Sequence, residues 1–174
     1  MSFLGQVRKK ALQANRRIVL PETNDERVIR AASQILKEGL AQVILVGNQE
    51  AIMHSAKAYE VSLSGAKIVD PYSFERFNDY VNKLVELRAK KGMTPEEAKK
   101  LLLNNPTFFG AMLVKMGDAD GMVSGSASPT ANVLRAAIQV IGTQPGVKTV
   151  SSVFTVILYR NTAVTIIHAI GHKP

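Results

Sequence analysis

The 174-residue chain contains no cysteine. That removes disulfides, thiolate nucleophiles and cysteine metal ligands together, and it fits a reducing, cytoplasmic setting. Tryptophan is absent and aromatic residues make up only 6% of the chain, so platforms for stacking nucleic-acid bases are not expected. Acidic residues are in deficit: 22 Lys and Arg stand against 14 Asp and Glu, a net charge of +8. The basic residues are dispersed rather than gathered in a tail, which favours a phosphorylated small molecule over nucleic acid as the partner. Long hydrophobic runs are also missing. The most apolar stretch, 150–170, is broken by Arg160 and Asn161 and reads as two strands, not a membrane span. No leader is visible, because the short run Met1–Gly5 is followed, not preceded, by basic residues. Neither a Walker A nor a G-x-G-x-x-G sequence occurs, so nucleotide hydrolysis and nicotinamide chemistry have no support. His54, His168 and His172 lack metal-ligand spacing, and no metal is expected.

What is present is an ordinary globular composition, 46% apolar and 21% charged, of a length that suits one domain over residues 1–174. A basic helical lead-in, Gln6–Arg17, precedes a compact apolar run, Ile18 to Leu20, that predicts a buried strand. Asn24 or Asp25 caps a helix over Glu26–Glu38, and Gly39 ends it. Val43–Val46 is the second strand, which makes a right-handed βαβ unit. A helix over Gln49–Tyr59, a short strand over Lys67–Val69 and a long helix over Phe74–Lys91 follow. Arg88, Lys90 and Lys91 in that helix's last turn suit the helix dipole. Thr94, Pro95 and Glu97 carry the signature of a capping box, opening a helix that runs to about Leu103. Another helix spans Thr107–Gly117, and Ser151–Leu158 and Thr162–Ala169 read as a strand pair.

The chain is organised around Asp120–Gln139. Gly121, Met122 and Val123 end an apolar run, and Ser124 to Pro129 form a hydroxyl-rich loop with little side-chain bulk. From Thr130 the pattern turns helical, with Val133, Leu134, Ala137, Ile138 and Ile141 recurring at helix spacing. Such a loop lets backbone N–H groups approach an anion, and Arg135 lies a little over one turn inside the helix. The competing reading is a surface connection whose Ser and Pro merely start a helix.

This stretch resembles the phosphate acetyl/butyryl-transferase family, and within it the phosphotransacetylases. Asp120, Gly121, Met122, Val123, Ser124, Gly125, Thr130, Ala131, Leu134, Arg135, Ala137 and Gln139 match the family's run. Ser128, Pro129, Asn132 and Ala136 depart from it. The run from Pro21 to Ala32, the Val43–Gly47 strand and the segment around Phe108–Val114 resemble the family as well. The resemblance implies an α/β three-layer sandwich with a mostly parallel sheet, of the isocitrate/isopropylmalate dehydrogenase type. It implies acetyl transfer between coenzyme A and inorganic phosphate, with acetyl-CoA and acetyl phosphate as partners and no resident cofactor. Val85, Glu86 and Arg88 are similar to a family element whose arginine contacts coenzyme A. Arg88, Ser124, Gly125, Ser126, Thr130 and Arg135 are thereby the expected substrate-binding residues.

The resemblance fades after Leu158, leaving 159–174 as a divergent tail. It also implies that the family's catalytic Asp and thiol-orienting Ser belong to a second half with no counterpart here, so no residue inherits the role of base. The expectation is a shortened acyltransferase, or else a non-catalytic module that binds coenzyme A or phosphate. Self-association as a homodimer through an apolar patch near Val150–Ile170 is expected, and neither nucleic acid nor membrane is an expected partner.

Overall fold

The computed structural model describes residues 3–143 together with the backbone of 151–159 and 162–170. Two compact units, Met1–Ile141 and Gly142–Pro174, are described separately.

In the first unit, β1 (Arg17–Leu20), β2 (Gln42–Val46), β3 (Lys67–Val69) and β4 (Gly121–Met122) form one sheet. Its order is β3-β2-β1-β4 and every pairing is parallel. Parallel strands joined by helical crossovers must be buried on both faces, and side-chain alternation divides them accordingly. Val19, Ile44 and Val46 point into one core, while Leu20, Val43 and Leu45 point into the other. The second core is covered by α2 (Glu26–Glu38) and α3 (Gln49–Ala58) through Ile29, Ala32, Ile52 and Ala56. The first core takes Tyr80 and Leu84 from α4 (Phe77–Arg88) and Leu102 from α5 (Pro95–Asn104). It also takes Phe109 and Met112 from α6 (Pro106–Lys115) and Ala136 from α7 (Thr130–Ala136). This is the expected α/β sandwich with its sheet in the middle layer. No helix among the described residues is long and apolar enough to cross a membrane.

Local chemistry accounts for the helix ends. Asp25 is the cap of α2, accepting from the Arg27 N–H, and Gly39 closes that helix at φ 65°. Thr94 and Glu97 make a reciprocal capping box at α5. Asn105 caps α6 with Pro106 in its first turn, so the helix opens at the residues that break α5. The lead-in helix α1 spans Phe3–Ala14.

Beyond shifts of a few residues at helix ends, three details differ from the sequence reading. First, α4 begins at Phe77, not Phe74. Phe74 instead sits edge-on to Tyr80 and Phe109, with ring centroids 5.0 and 5.6 Å apart, so packing rather than helix geometry holds it. Second, the last helix changes pitch: α7 gives way to a π-helical turn over Ala137–Ile141. Third, that segment buries Ala136 and Val140, while Leu134, Ile138 and Ile141 are exposed. It is apolar nearly all round, so periodicity alone does not choose the inward face.

In the second unit, β5 (Ser151–Tyr159) and β6 (Thr162–Ile170) pair antiparallel, from Ser151 opposite Ile170 to Tyr159 opposite Thr162. The expected apolar patch near Val150–Ile170 rests on side chains outside the described residues. So do the linking residues Arg160 and Asn161 and the histidines His168 and His172.

Phe109 is fully buried and touches both Phe74 and Tyr80. Phe109→Ala is expected to cost about 3–5 kcal/mol, read from the urea unfolding midpoint of the purified chain.

Candidate functional site

The strand order sets where a ligand meets the sheet. From β1 the chain moves outward to β2 and β3, then returns to place β4 on the opposite edge of β1. The reversal lies between β1 and β4, and open α/β sheets bind ligands outside the strand C-termini at such a point. Two loops meet there: 21–25 after β1, and 123–129 after β4. Ser124, Gly125 and Ser126 lie in the second loop, and Thr130 opens α7 directly behind it.

The first loop grips the second through one side chain. Glu22 is only 3% exposed, although it is charged. The Gly125 and Ser126 amides donate to its Oε2 at 2.7 and 2.8 Å. The Ala127 and Ser128 amides donate to its Oε1 at 3.1 and 2.7 Å. Gly125 adopts φ 114°, a backbone region that L side chains avoid, and this turns consecutive N–H groups toward one carboxylate. Burial is the largest influence on Glu22 and pushes its pKa up. The hydrogen bonds from Ser128, Ser126 and Gly125 together outweigh it, and the net shift is downward.

Two neighbours complete the grip. The Ser126 hydroxyl donates to Asp25 Oδ2 at 2.9 Å, and Arg27 Nη2 donates to the Ser126 carbonyl at 2.7 Å. Arg27 also pairs with Asp25 at 2.6 Å, and this guanidinium holds the Asp25 carboxyl well below the usual carboxylate range. The loop amides that the sequence offers to an anion are taken by the protein's own carboxylate. Sequence reasoning passed over Glu22, Asp25 and Arg27 as site residues. The available signal was their position, immediately after a strand in a βαβ unit.

A cavity of about 210 Å³ lies beside this grip, lined by Leu20, Val28, Ala31 and Val123 with Glu22, Arg27, Ser124 and Ser126. It is smaller than the pockets of about 300–1,000 Å³ that enclose whole drug-sized ligands. The Ser124 hydroxyl lies 3.4 Å from that of Thr107, which is buried in the first turn of α6.

The two arginines expected to bind substrate stand apart from the rest. Arg8, Arg17, Arg27, Arg30 and Arg76 each pair with a carboxylate. Arg16 acts on Asp120 through its field. Arg88 and Arg135 have no acidic partner among the described residues. Arg135 is exposed on α7. Arg88 is half-buried at the end of α4, and its Nε is buried without a hydrogen-bond partner. α4 packs against the Ala137–Ile141 turn that continues α7, so both arginines belong to the helical layer on the same face of the sheet.

Asp120, which leads the family-like run, has a structural task. It accepts from the Arg17 backbone N–H and Nε at 2.8 and 3.2 Å through Oδ2, and from Nη2 at 2.9 Å through Oδ1. The Arg17 side chain lowers its pKa to about 2. Asp118 next to it takes both a guanidinium nitrogen of Arg76 and the Tyr80 hydroxyl. These contacts fix the entry to β4 and hence the start of the hydroxyl loop. Among the described residues no cluster of three or more His, Asp or Glu is arranged to hold a metal.

Comparison with known proteins gives this geometry a context. Residues 2–168 match the family described as phosphate acetyl/butaryl transferase. The chain belongs to that family. It is 46% identical over 158 residues to the phosphate acetyltransferase of Acetivibrio thermocellus, covering 91% of this chain and 47% of that protein. Its fold matches a phosphotransacetylase from Streptococcus pyogenes with TM-score 0.84 and 39% identity, covering 96% of this chain and 51% of that one. EutD phosphotransacetylase from Staphylococcus aureus matches with TM-score 0.81 and 36% identity, over 94% and 48% of the respective chains. The chain thus spans about half the length of these relatives.

The carboxylates of this region give a definite pH dependence. Glu22, Asp25 and Asp120 all have folded pKa values below those of an unfolded chain. Their stabilisation is fully present above about pH 4.5, the upper end of ordinary carboxylate values. For Asp120 it is lost as pH falls through about 2, and Glu22 and Asp25 lose theirs as pH falls through their own lowered values. Chemical denaturation at stepped pH is expected to show a falling midpoint across that window and a flat one from pH 5 to 7.

Proposed function

We propose that this chain is a phosphate acetyltransferase-type acyltransferase domain. Its substrates are acetyl-CoA and inorganic phosphate in one direction, and coenzyme A and acetyl phosphate in the other. The observation that carries the reading is a pair of arginines without counter-ions among the described residues, Arg88 and Arg135, in a family member where Arg8, Arg17, Arg27, Arg30 and Arg76 each pair with a carboxylate. A buried guanidinium nitrogen left unpaired, as Arg88 Nε is, is costly unless an anion completes it, and the planar fork of both side chains suits phosphate oxygens.

In the thioester-forming direction the coenzyme A sulfur attacks the carbonyl carbon of acetyl phosphate. A C–S bond forms, the C–O bond to phosphate breaks, and the thiol proton leaves to a base. Within this reaction Arg88 holds a phosphate of coenzyme A. Arg135 neutralises the phosphoryl group, whose charge grows as it leaves. Ser124 and Thr130 offer hydroxyls that orient it. Ser126 has its hydroxyl proton committed to Asp25 and contributes as an acceptor and as part of the loop's framework. Gly125 contributes the backbone conformation rather than an amide. No residue of this chain is assigned as the base.

A second reading is favoured by one fact, the half-length span relative to the curated relatives. In it the chain binds coenzyme A or phosphate without turnover. An assay with acetyl phosphate and coenzyme A, following thioester absorbance, separates the two. Turnover supports the acyltransferase, coenzyme A binding without turnover supports the module, and absence of both overturns each.

Arg135→Ala is expected to weaken coenzyme A or phosphate binding by about tenfold or more, the equivalent of one charged hydrogen bond. The unfolding free energy should change by no more than about 0.5 kcal/mol, because the exposed side chain has no partner to lose among the described residues. Calorimetric titration beside urea denaturation checks both.

A further inference from the structure

The buried charge of the first unit sits where the two site loops meet, and the reaction outlined above does not use it. Glu22 reaches across from the end of β1 to residues more than one hundred positions away. It satisfies four consecutive donors of the loop that carries Ser124 and Ser126. Those donors converge as an anion nest, the arrangement that cradles phosphate at other α/β switch points. A phosphate arriving here would have to expel a carboxylate that is 3% exposed and leave it buried without partners. The exchange would leave an unpaired buried charge, while the same four amides would only trade one anion for another.

We propose that Glu22 is the positioning residue of the ligand site: its carboxylate is the resident anion of the Gly125–Ser128 amides and holds the hydroxyl loop in its ligand-ready shape. The substrate phosphoryl group is thereby excluded from the amides and directed to side chains, Ser124, Thr130 and Arg135. Glu22 acts through the loop and touches no substrate. The assignment of ligand rests on the acyltransferase reading; the resident-anion role of Glu22 does not.

The test uses two variants of the whole chain. Glu22→Gln keeps the shape but sets an NH₂ group against N–H donors. Glu22→Ala empties the nest. Amide hydrogen exchange at residues 125–128 is expected to speed up by about tenfold or more in Glu22→Gln, the loss of one charged hydrogen bond, with coenzyme A affinity falling in parallel. Added acetate or formate is expected to re-protect these amides in Glu22→Ala and to raise its coenzyme A affinity. That rescue is one a merely structural side chain would not produce. Unchanged protection and affinity in folded Glu22→Gln would overturn the proposal, as would a folded Glu22→Ala indifferent to both carboxylates. If Glu22→Ala does not fold, Glu22→Gln alone decides. Should the wild-type chain bind no coenzyme A, the acyltransferase reading fails, while exchange and carboxylate rescue still decide the role of Glu22.

Discussion

One buried carboxylate organises this half-length acyltransferase relative. Glu22 joins the C-terminal ends of β1 and β4, the two strands between which the sheet reverses direction. Its neighbours on both sides are amides, so the charge is dispersed over four donors and the burial penalty is more than offset. Without it the loop from Ser124 to Pro129 would hold four unsatisfied donors and a glycine in a left-handed conformation, with nothing to choose that geometry. The hydroxyls, the start of α7 and the position of Arg135 all follow from where this loop is pinned.

A second long-range pair supports the first. Arg17 opens β1 and grips Asp120 just before β4, and so sets the same two strands in register from their N-terminal ends. The pair of strands is thus fixed at entry by an arginine–carboxylate fork and at exit by a carboxylate–amide nest. Between these ends the contacts are apolar, Val19 beside Met122 in the sheet with Gly110 of α6 packed close against both. Charge is placed at the rims and hydrophobic surface in the middle, as a parallel sheet covered on both faces requires.

Much of the architecture was legible in the sequence because it is local. The βαβ opening, the Asp25 cap, the Gly39 stop and the Thr94–Glu97 capping box all depend on residues within a few positions of one another. The site was legible only in part. The run from Asp120 to Gln139 marks the loop and Arg135, but the occupant of the loop amides comes from a residue about one hundred positions earlier. No periodicity reports such a contact. The inward face of α7 was hidden for a different reason, since Leu134, Ile138 and Ile141 compete with Ala136 and Val140 on a segment apolar all round. Arg88 could be singled out through resemblance, yet its unpartnered Nε is a property of packing alone.

In the proposed reading labour is divided: the loop amides are held by Glu22, and a ligand's phosphates fall to Arg88 and Arg135. A nitrogen-15 NMR titration of the chain with coenzyme A tests it directly, because backbone amides and arginine Nε–H groups are read in one spectrum. The account predicts that the Arg88 and Arg135 Nε–H signals shift most while the amides of residues 125–128 stay near their starting positions. Large shifts at those amides, with silent arginines, would contradict it.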